Sequence, residues 1–140
     1  VADLETIVNA NAALGGRFFK KTATLSSAAA ATPVHVLTDA EVGAGKKAYV
    51  SQVFFSVDGG TNWATTATIS LRDTAGSPVI GCTVATSALT GNAMVQLADA
   101  TLLAPIADGV GFTTAKGLDI VGNANGTGSN LLVTVFGCIM

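Results

Sequence analysis

A chain of 140 residues with 49% apolar residues, 11% charged residues and a formal net charge of −2 is sized for one domain with its own hydrophobic core. Soluble domains carry roughly 25% charged residues, so Thr, Ser, Asn, Ala and Gly must cover much of this surface, a composition suited to flat, dry contacts with other protein subunits. Seven Lys and Arg in all exclude a broad phosphate-binding stripe, and with it nucleic-acid binding as the main role.

The first sixteen residues, VADLETIVNANAALGG, have neither the basic start nor the apolar centre of a secretion signal, and no run along the chain is long enough to span a membrane. Val1 fits removal of an initiator Met, so synthesis in a host cytoplasm is expected. Leu4, Ile7, Val8 and Leu14 follow helical spacing, with Asp3 as a cap and Gly15-Gly16 as a stop. Asn9 and Asn11 weaken that pattern, and an extended arm fits the same letters. Residues 1–16 are therefore expected to form an arm or short helix outside a domain spanning 17–140.

RFFKKTATL at 17–25 and PVHVLT at 33–38 read as strands. The first holds the densest basic cluster, Arg17, Lys20 and Lys21, expected to be solvated and to discourage edge pairing. The second holds His35, the one histidine, expected to be a hydrogen-bonded strand residue because no nucleophile motif accompanies it. DAEVGAG at 39–45 reads as a break. Gly43-Ala44-Gly45-Lys46-Lys47 is no phosphate loop, since Ala40 stands five before Gly45 and Lys47 replaces the metal-binding Ser or Thr.

KAYVSQVFFSV at 47–57 places Tyr49, Val53, Phe55 and Val57 on one side and Val50, Gln52, Phe54 and Ser56 on the other. WATTATISLR at 63–72 alternates more cleanly, with Trp63, Thr65, Ala67, Ile69 and Leu71 on its apolar face. Asp58-Gly59-Gly60 between them predicts a hairpin. The same stretch, SVDGGTNW, fits the Asp-box pattern Ser-x-Asp-x-Gly-x-x-Trp through Ser56, Asp58, Gly60 and Trp63. Propellers repeat this motif blade after blade, whereas it occurs once here, and two arginines, Arg17 and Arg72, are too few for a sialidase site. The motif is expected to be a structural turn, with Asp58 accepting backbone N–H groups and Trp63 packing across the hairpin.

Further strands are expected at 78–85 (PVIGCTVA), 93–98 (AMVQLA), 117–121 (GLDIV) and 131–139 (LLVTVFGCI), separated by DTAGSP, TGN and GNANGTGSN. DATLLAPIADGV at 99–110 reads as one more short strand broken at Pro105. Eight or so short strands without an internal helix point to an all-β, jelly-roll-like sandwich. The last strand is apolar on both faces: Leu131, Val133, Val135 and Ile139 on one, Leu132, Phe136 and Cys138 on the other. One face should meet the core and the other a neighbouring subunit. Cys82 and Cys138 are expected to be buried free thiols, and Asn125-Gly126-Thr127 to be a turn. No spacing matches a calcium loop or a dinucleotide loop, so neither metal nor cofactor is expected. Asp58, Asp73, Asp99 and Asp108 lie at turns, where Asp bonds locally.

Three features, KGLDIVGNANGTGSNLLVTVFGCIM at 116–140, KKAYVSQVFFSVDGGTNWATTATISLRDTAGSPVI at 46–80 and the small-residue composition, resemble the small all-β head proteins of tailed bacteriophages, the decoration or cement proteins. The likeness is one of style across 17–140 and leaves 1–16 uncovered. It implies a jelly-roll protomer, commonly a homotrimer, on the outer capsid surface of a virion, where it braces the shell and needs neither catalysis nor a small-molecule substrate. On that reading Leu4, Ile7, Val8, Lys20 and Lys21 would touch the major capsid protein, and Leu132, Phe136 and Cys138 would lie between subunits. Two rivals remain. A carbohydrate- or receptor-binding module of a phage tail or fibre would expose Trp63 or Tyr49 along a groove, and a glycosidase would bring two carboxyl groups to roughly 5–10 Å.

Overall fold

The computed structural model describes residues 17–63, 68–97 and 112–140. In chain order its strands are β1 (Arg17–Leu25), β2 (Val34–Leu37), β3 (Ala48–Asp58), β4 (Thr68–Asp73), β5 (Ile80–Ala85), β6 (Met94–Leu97), β7 (Leu118–Gly122) and β8 (Asn130–Ile139). They form two four-stranded sheets, ordered β1-β8-β3-β6 and β2-β7-β4-β5, with every pairing antiparallel. The chain changes sheet at each connection except the one from β4 to β5, which is the long-range pairing order of a jelly roll. The eight expected strands are all present, while the expectation for 99–110 lies outside the described residues.

Period-2 alternation turns one face of each sheet inward. Leu25, Phe55, Leu131, Val133 and Val135 from the first sheet meet Leu37, Ile69, Leu71, Leu118 and Ile120 from the second, all essentially inaccessible to water. Each such aliphatic or aromatic side chain contributes about 1.5–3 kcal/mol by leaving water. In β3 the register slips between Val50 and Gln52. That bulge reverses the expected faces at the strand's start: Val50 goes into the core with Val53, and Tyr49 stays half-exposed.

The expected hairpin between 47–57 and 63–72 does not form. β3 pairs with β8 and β6, whereas β4 pairs with β5 and β7, so Asp58-Gly59-Gly60 begins a passage from one sheet to the other. A two-residue turn signal describes local backbone, and both sheets of a sandwich offer a partner edge; here the long-range pairing with β8 wins. Other residues hold the passage. The Asn92 N–H donates to Gly59 O at 2.8 Å, the Trp63 N–H to Leu89 O at 3.0 Å, and Asn62 Oδ1 accepts the Gly91 N–H at 2.8 Å. Trp63 is only 4% exposed and belongs to the core, and Asp58 ends β3 opposite Asn130, exposed to solvent.

The break expected at 39–45 contains one helical turn, α1 (Asp39–Val42). Thr38 Oγ1 accepts the Glu41 N–H at 3.3 Å and Glu41 Oε2 accepts the Thr38 N–H at 2.8 Å, a capping box written in the sequence as Thr-x-x-Glu. Gly43 at φ 85° then ends the turn.

One polar knot also lies inside. Asp73, 1% exposed, accepts the Ala75 and Val79 N–H groups at 3.1 Å each and the Thr113 N–H at 3.2 Å, with the Thr113 hydroxyl as a fourth donor. A buried carboxylate is tolerated only with such complete satisfaction.

Candidate interaction face

The outer face of the β1-β8-β3-β6 sheet is built by the residues that alternate with its core set. Register places Phe18, Cys138 and Tyr49 in one row, then Lys20, Phe136 and Gln52, then Thr22, Thr134, Phe54 and Gln96, then Thr24, Leu132, Ser56 and Met94. Lys20 is the single charged side chain in these four rows.

Phe54 and Phe136 meet edge to face, ring centroids 5.8 Å apart and planes at 72°, and Lys20 Nζ lies 5.6 Å from the Phe136 ring centre. That is cation–π distance, over a ring that stays half-exposed. The Thr22 and Thr134 hydroxyls bond each other at 3.0 Å. Beside them Met94 is 71% exposed and Phe18 54% exposed. A shallow groove along this face is lined by Lys20, Phe54, Met94, Leu132 and Phe136 among others. An apolar, nearly uncharged sheet face of this kind suits a protein contact, because little charge must be stripped of water when it is covered.

The expected pair of faces on the last strand is present: Leu131, Val133, Val135 and Ile139 are buried, while Leu132, Phe136 and Cys138 are half-exposed outward. Phe54 and Met94 also belong to the outer patch. Phe54 was legible as an outward residue of its strand, but Met94 beside Leu132 requires knowing that β6 flanks β3. Of the two thiols, Cys82 is buried as expected and its burial pushes its pKa up to about 11, whereas Cys138 is only half-buried on the outer face; both are free.

Lys20 and Lys21, adjacent in sequence, have different surroundings. Lys21 donates to Glu41 across the gap from β1 to α1, and that bond, with the Thr38 N–H, lowers the Glu41 carboxyl to about 2. Lys21 is thus already engaged within the fold, and Lys20 is the basic residue presented on the outer face. Leu4, Ile7 and Val8 lie outside the described residues.

The opposite outer face differs in chemistry. There His35 Nδ1 lies 2.5 Å from Oδ1 of Asp119, a carboxylate only 6% exposed, and Arg72 faces Asp119 across the β4–β7 pairing. His35 is thus a hydrogen-bonded strand histidine, as its sequence context predicts. The other carboxylates Asp39, Glu41 and Asp73 are held by hydrogen bonds to neighbouring residues. Among the described residues no group of three or more His, Cys, Asp or Glu side chains could hold a metal ion, and no helix is long and apolar enough to cross a membrane.

No known protein family matches the sequence, and no curated protein matches it. Solved structures do resemble the fold. A chain in the capsid of Ralstonia phage GP4 is 12% identical and superposes with a TM-score of 0.52, covering 87% of this chain and 83% of that one. The STIV MCP is 13% identical with a TM-score of 0.40, over 88% of this chain and 40% of its own length. A chain of the cyanophage Pam1 capsid asymmetric unit is 12% identical with a TM-score of 0.42, over 87% and 84%. The first of these likenesses agrees with the strand order: the protein is an all-β jelly roll of two antiparallel four-stranded sheets.

Proposed function

We propose that the protein is a structural subunit of a phage virion, a decoration protein that binds the outer surface of the head and braces the shell. The observation that carries this reading is the apolar, nearly uncharged outer face of Leu132, Phe136, Phe54 and Met94 on a jelly roll. Its fold likeness to a chain in the Ralstonia phage capsid, over most of both chains, supports the virion setting. Cement subunits must present apolar area and shape on several sides, and low charge limits the desolvation cost of doing so. On this reading the subunits form a homotrimer in contact through Leu132, Phe136 and Cys138, and the partner is the major capsid protein. The glycan-binding rival loses its best residue, since Trp63 is in the core.

The test is particle analysis. Mass spectrometry of purified particles of the encoding virus should find the chain in stoichiometric copies, and particles lacking it should lose DNA at lower temperature, with retention restored by adding the recombinant protein. A chain absent from purified particles, or present without effect on heat resistance, overturns the proposal. Native mass in solution separates the oligomer claim: Phe136→Ser should convert a trimer to smaller species while leaving the sandwich folded.

A further inference from the structure

The outer face of the β1-β8-β3-β6 sheet is apolar and has no cover among the described residues, yet the chain contains sixteen further residues that join the fold at its corner. Arg17 begins β1, the edge strand of that sheet, and Phe18 starts the first row of the face. The two residues before Arg17 are Gly15 and Gly16, which impose the fewest steric limits on a chain that must reverse direction.

Charge and length agree with a return over the face. The segment 1–16 contains Asp3 and Glu5 and no Lys or Arg, whereas the face has Lys20 as its single charge. Leu4, Ile7, Val8 and Leu14 supply the apolar area to match Phe54, Phe136, Leu132 and Met94. Fourteen residues span ~46 Å when extended and ~21 Å as a helix. Four strands are only ~14 Å across, so either form crosses the face. Covalent attachment makes the encounter intramolecular, at an effective concentration on the order of millimolar for a short flexible joint.

We propose that residues 1–16 fold back over this face of their own subunit, with Asp3 and Glu5 beside Lys20 and the apolar residues on the Phe54–Phe136 pair. The sequence-based expectation set Leu4, Ile7 and Val8 against a shell; the charge and the point of attachment favour the chain's own sheet in the free protein. The cover would keep a weakly charged subunit from associating through this face until a partner displaces the arm. That last consequence rests on the shell reading above, whereas the fold-back itself does not.

The experiment uses the full chain with Leu4 replaced by the photo-cross-linker p-benzoylphenylalanine, irradiated as a mixture of isotopically light and heavy protein. The expected result is adducts within one chain on Met94, Phe54, Leu132 or Phe136, with a yield that drops several-fold on Asp3→Lys with Glu5→Lys, and again on Phe136→Ser. Near-ultraviolet circular dichroism of each variant verifies that the sandwich is intact. Adducts on residues outside the face, adducts joining light to heavy chains, or a yield indifferent to charge reversal overturn the proposal. Each readout is made on isolated protein, so it stands or falls independently of incorporation into particles.

Discussion

Asp39 Oδ1 accepts the backbone N–H of Gly117 at 2.7 Å while its Oδ2 receives Lys116 Nζ at 3.1 Å, so the first residue of α1 fastens the chain entering β7. The Gly117 N–H, with the Thr74 hydroxyl and Lys116, holds the Asp39 carboxyl down from 3.8 to about 2, and Glu41 is lowered from 4.5 to about 2 by Lys21 and Thr38. Carboxyls depressed in the folded state stabilise it fully above their unfolded values and cease to do so as pH falls through the folded ones. Thermal stability should therefore be flat down to about pH 5 and fall toward about pH 2, with most of the loss below pH 4. Asp39→Asn with Glu41→Gln should make that acid limb shallower while lowering stability modestly at neutral pH, because both carboxylates are partly solvated. Melting temperatures across the pH range measure both effects.

Asp73 offers a sharper test of buried polar satisfaction. Asp73→Ala would strand three backbone N–H groups and one hydroxyl inside the fold and is expected to cost about 3–5 kcal/mol. Asp73→Asn keeps the shape but turns one acceptor into a donor aimed at Thr113, and should cost about 2 kcal/mol. Urea unfolding of the two variants should give that order.

Gly128 combines a positive φ of 103° with a position where an added Cβ would lie 2.1 Å from Asn62 O. Gly128→Ala must therefore either move the β7–β8 loop away from the sheet-to-sheet passage or strain it, at an expected cost of at least ~2 kcal/mol. A stability within ~0.5 kcal/mol of the parent would show that this contact is loose.

Trp63 is the single tryptophan, and its core position predicts blue-shifted emission that resists acrylamide quenching until the protein unfolds. Trp63→Ala should cost about 3–5 kcal/mol. Emission typical of water would instead place the ring outside, where the glycan-binding reading needs it.

Strand positions were legible because they depend on alternation, which is local: β1 matches its sequence-based bounds at 17–25, and β8 begins within one residue of its expected start. The inward and outward sets of β8 were legible for the same reason. Pairing was not, since Asp58-Gly59-Gly60 can turn a chain back or send it across to another sheet, and the choice is made by β8 seventy residues later. The bulge at Val50 and Gln52 reversed two faces without any glycine to announce it. α1 had a clear signal in Thr38 and Glu41, obscured because four residues are too few for helical periodicity. Asp73 was placed at a turn correctly, but its burial depended on Thr113, forty residues away.

The strand order also fixes when this protein can fold. β8 lies between β1 and β3 and pairs with every residue of β1, from Arg17 against Ile139 to Leu25 against Leu131. During synthesis β1 and β3 emerge without the strand that joins them, and the sheet closes only after β8 has left the ribosome. Closing so long a loop must precede the contacts that reward it, which makes folding slow for a domain of this size. Until then the apolar residues of β3, Phe54 and Phe55 among them, have no partner strand of their own, and this is the interval in which a nascent chain would most need a chaperone.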